Sequence, residues 1–153
     1  DRGLRLPEKQ LILELTESCK VSDPNGLRDD FEYFKNMGIN MALDDFGTEY
    51  SSIALLRKLK PQWIKIDHTF VRSIQDDEMD QAILEYIMNL SKQTRIKVCV
   101  EGVENKEILS VVQTYKPELL QGYYYSRPCP AEEFSKKYFN GKDKTGSYGC
   151  LKK

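Results

Sequence analysis

Apolar positions along this chain fall into two alternating patterns. Short, dense runs predict strands at Leu11–Leu15 (LILEL), at Asn40–Leu43 leading into Asp44, at Trp63–Ile66 and at Lys97–Val100, with Glu118–Gln121 as the candidate fifth. Between them the spacing turns helical. Leu27, Phe31, Phe34 and Met37 recur at i, i+4, i+7 and i+10, and Gly38 suits the position past a helix end. Ser52–Leu59 reads as a second helix, stopped by Pro61. Met79, Ala82, Ile83, Tyr86, Ile87 and Leu90 are expected to line the buried face of a longer helix, whose start carries Asp76, Asp77 and Glu78 where the helix dipole favours negative charge. Ile108, Leu109, Val112 and Tyr115 mark the next helix, and Ala131–Phe139 a last one behind Pro130.

Strand and helix thus alternate five times, which argues for a parallel sheet in an α/β fold. Without an internal repeat or low-complexity linker, residues 1–139 read as part of a single domain. Residues 140–153, rich in Lys, Gly and Ser, read as a flexible tail.

Composition narrows the function. Across 153 residues, 23 basic side chains face 24 acidic ones, which argues against a protein that coats DNA or RNA polymers but leaves room for a single small nucleotide. Cys19, Cys99, Cys129 and Cys150 form no C-x-x-C pair, and His68 is the only histidine, so neither a Cys/His zinc site nor a disulfide framework is expected. A reducing, cytoplasmic setting follows as the expectation. No apolar run approaches the roughly 20 residues needed to span a bilayer, and no membrane contact is expected from this segment.

The informative pattern is where the charges fall. Each predicted strand delivers polar groups at its carboxy-terminal end: Glu14, with Glu17 beyond; Asp44-Asp45; Lys65 and Asp67; Glu101, with Glu104 beyond; and Gln121-Gly122. In a (β/α)8 barrel this end forms the active site, and in an open parallel sheet the same edge binds ligands. Taken singly, a strand-ending carboxylate commonly caps a helix or meets solvent, and Lys65 beside Asp67 reads equally as a plain salt bridge. The recurrence on five strands outweighs the single readings. Crowded carboxylates need cations or shifted protonation to coexist. An oxygen-only donor set favours a hard cation such as Mg²⁺, Mn²⁺ or Ca²⁺. Two ions roughly 3.5–4 Å apart, with adjacent carboxylates such as Asp44 and Asp45 between them, can clamp a phosphodiester and activate a water. His68, Trp63, Tyr123-Tyr124-Tyr125 and the cysteines lean towards structural roles, with His68 expected at a helix start or on the surface and Trp63 in the core.

The motifs Glu14-Leu15-Thr16-Glu17, Asp44-Asp45-Phe46-Gly47-Thr48, Lys65-Ile66-Asp67, Glu101-Gly102-Val103-Glu104 and Gln121-Gly122-Tyr123 resemble, in order and spacing, those of the EAL domain family, from about Leu4 to Phe139. The resemblance implies a TIM-like (β/α)8 barrel of EAL type that hydrolyses cyclic di-GMP to linear pGpG with Mg²⁺ or Mn²⁺. It implies Glu14 and Asp44 as ligands of one metal, Asp44 bridging, and Asp45 on the second. Lys65 would contact the catalytic water with Asp67 close by, Glu101 would act as a further ligand or base, and Gln121 would orient water or substrate. Glu17 would brace the loop after Asp45, with Glu104 beside the ligands.

The chain departs from the family pattern at Glu49, where glycine is usual, and at His68, where arginine is common. The Glu-Ala-Leu signature and the Asn-bearing strand after it would lie upstream of Asp1. Five βα units fall short of the eight in a barrel of roughly 250 residues. The expectation is therefore an incomplete barrel lacking its amino-terminal strands, with little turnover alone, that forms a homodimer or swapped oligomer through its open edges. The alternative reading is a non-catalytic cyclic di-GMP receptor or a protein-interaction module of EAL type.

Overall fold

The computed structural model describes residues 11–16, 24–48 and 52–139. The strands β1 (Ile12–Thr16), β2 (Asn40–Phe46), β3 (Trp63–Ile66), β4 (Lys97–Val100) and β5 (Leu119–Leu120) pair in parallel and in strict chain order. The connecting helices are α1 (Pro24–Asn36), α2 (Ser52–Leu59), α3 (Thr69–Arg72), α4 (Glu78–Thr94), α5 (Lys106–Val112) and α6 (Ala131–Tyr138), with a 3-10 turn at Gln113–Tyr115. Strict sequential order decides between the two arrangements the alternation allowed. A doubly wound sheet reverses strand order at a switch point, whereas this one winds in a single direction, as a barrel does.

Side-chain alternation gives the sheet two unlike faces. Leu13, Leu15, Met41, Leu43, Ile64, Ile66, Val98 and Val100 point to one side and join the helices in the main core. Each fully buried aliphatic there contributes about 1.5–3 kcal/mol. The opposite face carries Ile12, Ala42, Trp63 and Cys99 as a second, small cluster. Trp63 is buried as expected, but its indole Nε1 has no hydrogen-bond partner among the described residues. Lys97 Nζ lies 5.0 Å over its ring.

Two sequence expectations need correction. Met37 falls beyond the end of α1 and is half exposed, while Phe31 is buried and Leu27 and Phe34 pack beside it. In α4 the buried residues are Leu84, Ile87, Met88 and Ser91, whereas Met79 and Tyr86 are largely exposed. The true stripe runs at i, i+3, i+4 and i+7, but polar Ser91 interrupts it, so a count of apolar residues selects the neighbouring face. The expected acidic start is real: Asp77 caps α4, its side chain accepting from the amides of Met79 and Asp80.

Candidate active site

The strand-end residues converge because the strands are parallel and in register. Glu14 pairs across from Ala42, Thr16 from Asp44, and Lys65 from Cys99. Between β2 and β3 the register shifts: Leu43 faces Ile64, yet Phe46 faces Ile66, so β2 holds one extra residue. This is a bulge at Asp44-Asp45, and Asp45 takes the left-handed conformation with φ 54°. In a regular strand adjacent side chains point to opposite faces. Here the bulge keeps Asp44 on the site side, returns Phe46 to the core, and brings Asp45 to Asp44. One carboxylate oxygen from each of Asp44, Asp45 and Glu101 lies within 4.8 Å of the others.

Lys65 joins the acids. Its Nζ is 2.8 Å from Glu14 Oε2, 2.9 Å from Asp44 Oδ1 and 3.0 Å from Glu101 Oε1. Burial alone would lower the lysine pKa, but the hydrogen bonds to Glu14, Asp44 and Glu101 prevail and hold it above its ordinary value. Lys65 is therefore a fixed ammonium at neutral pH. Glu101 is pushed the opposite way to a typical paired acid: burial raises it, and the charges of Asp44 and Glu14 add to burial, against the lowering effect of Lys65. Asp45 is raised by burial and by the neighbouring charges of Asp44 and Asp67, with Lys65 and His68 opposing.

Asp67 does not form the simple salt bridge with Lys65 that adjacency suggests. Although burial would raise its pKa, hydrogen bonds from Thr69 and His68 lower it overall. Its Oδ1 accepts from the Thr69 amide at 2.9 Å and hydroxyl at 2.6 Å, and Oδ2 lies 3.0 Å from His68 Nδ1. His68 occupies the N-cap position of α3, as its helix-start reading expects, and its side chain is mostly exposed. Gln121 stands at the end of β5 with its amide donating to Val100 O at 2.9 Å, its side chain exposed. Glu104 is exposed and outside the carboxylate cluster. Glu17 and Glu49 lie outside the described residues.

Sequence reasoning overlooked three features. The bulge was concealed in an Asp-Asp pair that reads equally as a strand end. Thr69, which fixes Asp67, is an ordinary polar residue by composition. The glycines of two motifs also do more than turn the chain. A Cβ on Gly122 would fall 2.1 Å from Val103 O, and one on Gly102, where φ is +73°, would fall 2.5 Å from His68 Cβ. The loops after β3, β4 and β5 are thus packed backbone against backbone, which holds the strand ends in place. Cys99, beneath this layer, has its thiol pushed up to about 12 by burial first and the charge of Glu101 second, so it stays a protonated, buried hydrophobe.

An oxygen-only trio around a cluster of crowded acids matches the donor chemistry of a hard divalent cation. Sequential winding and acidic strand ends together define a TIM-like α/β module with its polar site at the barrel mouth. The EAL domain model matches residues 3–128, and this chain belongs to the EAL domain family. It is 35% identical over 131 residues to the cyclic di-GMP phosphodiesterase NbdA of Pseudomonas aeruginosa, covering 84% of this chain and 17% of NbdA. Among solved structures it resembles the EAL domain of Mycobacterium smegmatis DcpA, with a TM-score of 0.81 and 30% identity over 86% of this chain and 59% of that one. It also resembles a manganese/cy-diGMP complex of Klebsiella pneumoniae BlrP1, with a TM-score of 0.76 and 33% identity over 81% of this chain and 32% of that one. The chain therefore spans less than a quarter of NbdA and less than two thirds of either solved chain. No described helix is long and apolar enough to cross a membrane.

Proposed function

We propose that this chain contributes the strand-end machinery of a metal-dependent cyclic di-GMP phosphodiesterase yielding linear pGpG. The observation that carries the reading is the carboxylate trio Asp44, Asp45 and Glu101 gathered at the bulged edge beside a triply paired lysine. Asp44 with Glu14 would hold one Mg²⁺ or Mn²⁺ ion, and Asp45 with Glu101 the second, Asp44 bridging. When bound, such ions neutralise phosphodiester charge and acidify water.

The side chains divide the remaining work by their protonation. Lys65 keeps its proton, and its three N–H bonds go to Glu14, Asp44 and Glu101, so it would contact the attacking water or the phosphate oxygen by exchanging one of these carboxylates for it. Glu101, raised by burial, would be a stronger proton acceptor than an ordinary carboxylate and would take the water's proton. The water oxygen then bonds to phosphorus as the P–O3′ bond breaks, the departing O3′ takes up a proton from solvent to become a hydroxyl, and the product carries a 5′-phosphate. Asp67, held ionised by Thr69 and His68, is a fixed negative charge beside Asp45. Gln121, on the exposed rim, would orient water or substrate. The working assembly is a homodimer or element-swapped oligomer, since β1 and β5 are the two edges of the described sheet and Leu119 on β5 is half exposed.

The test incubates this chain, and a version extended upstream to the length of solved EAL domains, with cyclic di-GMP and Mn²⁺, following pGpG by chromatography. Cleavage by the extended form should fall about a hundredfold or more in Asp44→Asn. Tight binding without cleavage by both forms would establish a receptor instead. No binding by either would overturn both nucleotide readings.

A further inference from the structure

A second cavity lies at the opposite end of the sheet, where the strands begin. It measures about 640 Å³ and sits between α2 and α4, above the first residues of β2 and β4. That volume falls in the range that encloses small molecules. Its floor is apolar, formed by Leu56, Leu90 and Ile96, with Ile53 exposed at the mouth. Its rim carries Arg57, Lys60 and Arg95, Lys97 borders it with its ammonium turned to the Trp63 ring, and no aspartate or glutamate lines it. In a chain whose acids and bases nearly cancel, this is a local segregation of charge.

The ordinary account of such cations is that they complement helix C-termini, since Lys60 follows the last residue of α2 and Arg95 caps α4. The magnitudes leave a surplus. Each helix end supplies about half a negative charge, so two ends offset about one of the three positive charges. Arg57, Lys60 and Arg95 form no ion pair with a described carboxylate, and Lys97 lies over the Trp63 ring. An apolar hollow ringed by uncompensated cations complements one chemistry well: an apolar body ending in an anionic head.

We propose that this cavity is a binding site for a small anionic amphiphile, such as a medium-chain carboxylate, remote from the acidic strand ends. The apolar body rests on Leu56, Leu90 and Ile96, and the head draws on the rim cations.

The experiment titrates the full chain with decanoate, and separately with decyltrimethylammonium, both below micelle formation. The methyl resonances of Ile53 and Ile96 are followed throughout. Decanoate should shift the methyl resonances saturably, and the cationic amphiphile should bind at least tenfold more weakly. The Arg57→Gln/Arg95→Gln variant, or Arg57→Gln alone if the pair fails to fold, should weaken decanoate at least tenfold while leaving circular dichroism unchanged. Equal binding of both amphiphiles, unmoved methyl resonances, or undiminished binding by a folded variant would each overturn the proposal.

Discussion

At the carboxy-terminal end of the sheet, carboxylates crowd around one buried lysine; at the amino-terminal end, three cations rim an apolar hollow. Both ends use residues in the left-handed region, but for different reasons. Lys60 (φ 47°) and Arg95 (φ 60°) stand just past helices, where that conformation closes the last turn. Asp45 (φ 54°) stands inside a strand, where it only makes room for a bulge. The loops of the acidic end are also packed without space for a Cβ at Gly102 or Gly122. The contrast teaches that a polar, strained arrangement is held by tight backbone packing around it, whereas the other end needs only ordinary helix termination.

The largest break in this contrast is expected from Gly122→Ala. The new methyl must displace the Val103 backbone, and chemical denaturation should show a loss of about 3 kcal/mol. An unchanged midpoint would mean that the strand-end loops are not the tight element described. Lys65→Met comes next. It strips charged hydrogen bonds from three acids, and stability at neutral pH without divalent cations should drop by about 2 kcal/mol.

A third measurement tests the acids by pH. The pKa values of Asp45 and Glu101 are raised, so their protonated forms persist to higher pH than in ordinary carboxylates. Protons therefore compete with a cation early as pH falls. Mn²⁺ affinity by calorimetry should begin to weaken, as pH is lowered, at a higher pH than for ordinary carboxylates, by up to about tenfold per pH unit for each group that protonates. Asp67, whose pKa is lowered, stays ionised throughout that range. A flat response would remove Asp45 and Glu101 from the ligand set. The smallest effects sharpen the comparison most directly. Asp45→Gly and Arg95→Gly each relieve a left-handed side chain, so each should gain about 0.5–1 kcal/mol. Only Asp45→Gly should also weaken Mn²⁺; loss of Mn²⁺ binding in both would erase the distinction between the ends.

Much of this was legible in the chain itself, for identifiable reasons. Trp63–Ile66, Lys97–Val100 and Ser52–Leu59 have the observed bounds because dense apolar runs and Pro61 leave few alternatives. Glu14, Asp44, Lys65 and Glu101 were legible as a group, since parallel strands deliver their ends to one edge. Their pairing was not. That Lys65 reaches back to Glu14 on β1 and leaves Asp67 to Thr69 depends on side-chain directions that spacing does not carry. The face of α4 was misread because Ser91 is buried without being apolar. Of the four-residue α3 only the start at His68 was legible, because one turn offers no periodicity to detect.

The bulge has a consequence for how this module can change. Phe46 occupies the core phase that a regular strand would give to the residue directly after Asp44. Asp45 is therefore the surplus residue, and losing it by a one-codon deletion would leave β2 in step with β3 and every apolar contact of the strand in place. A single genetic event could retire one half of the acidic pair while sparing the scaffold, so an EAL module of this kind lies one deletion away from a descendant that keeps its shape and loses its second carboxylate.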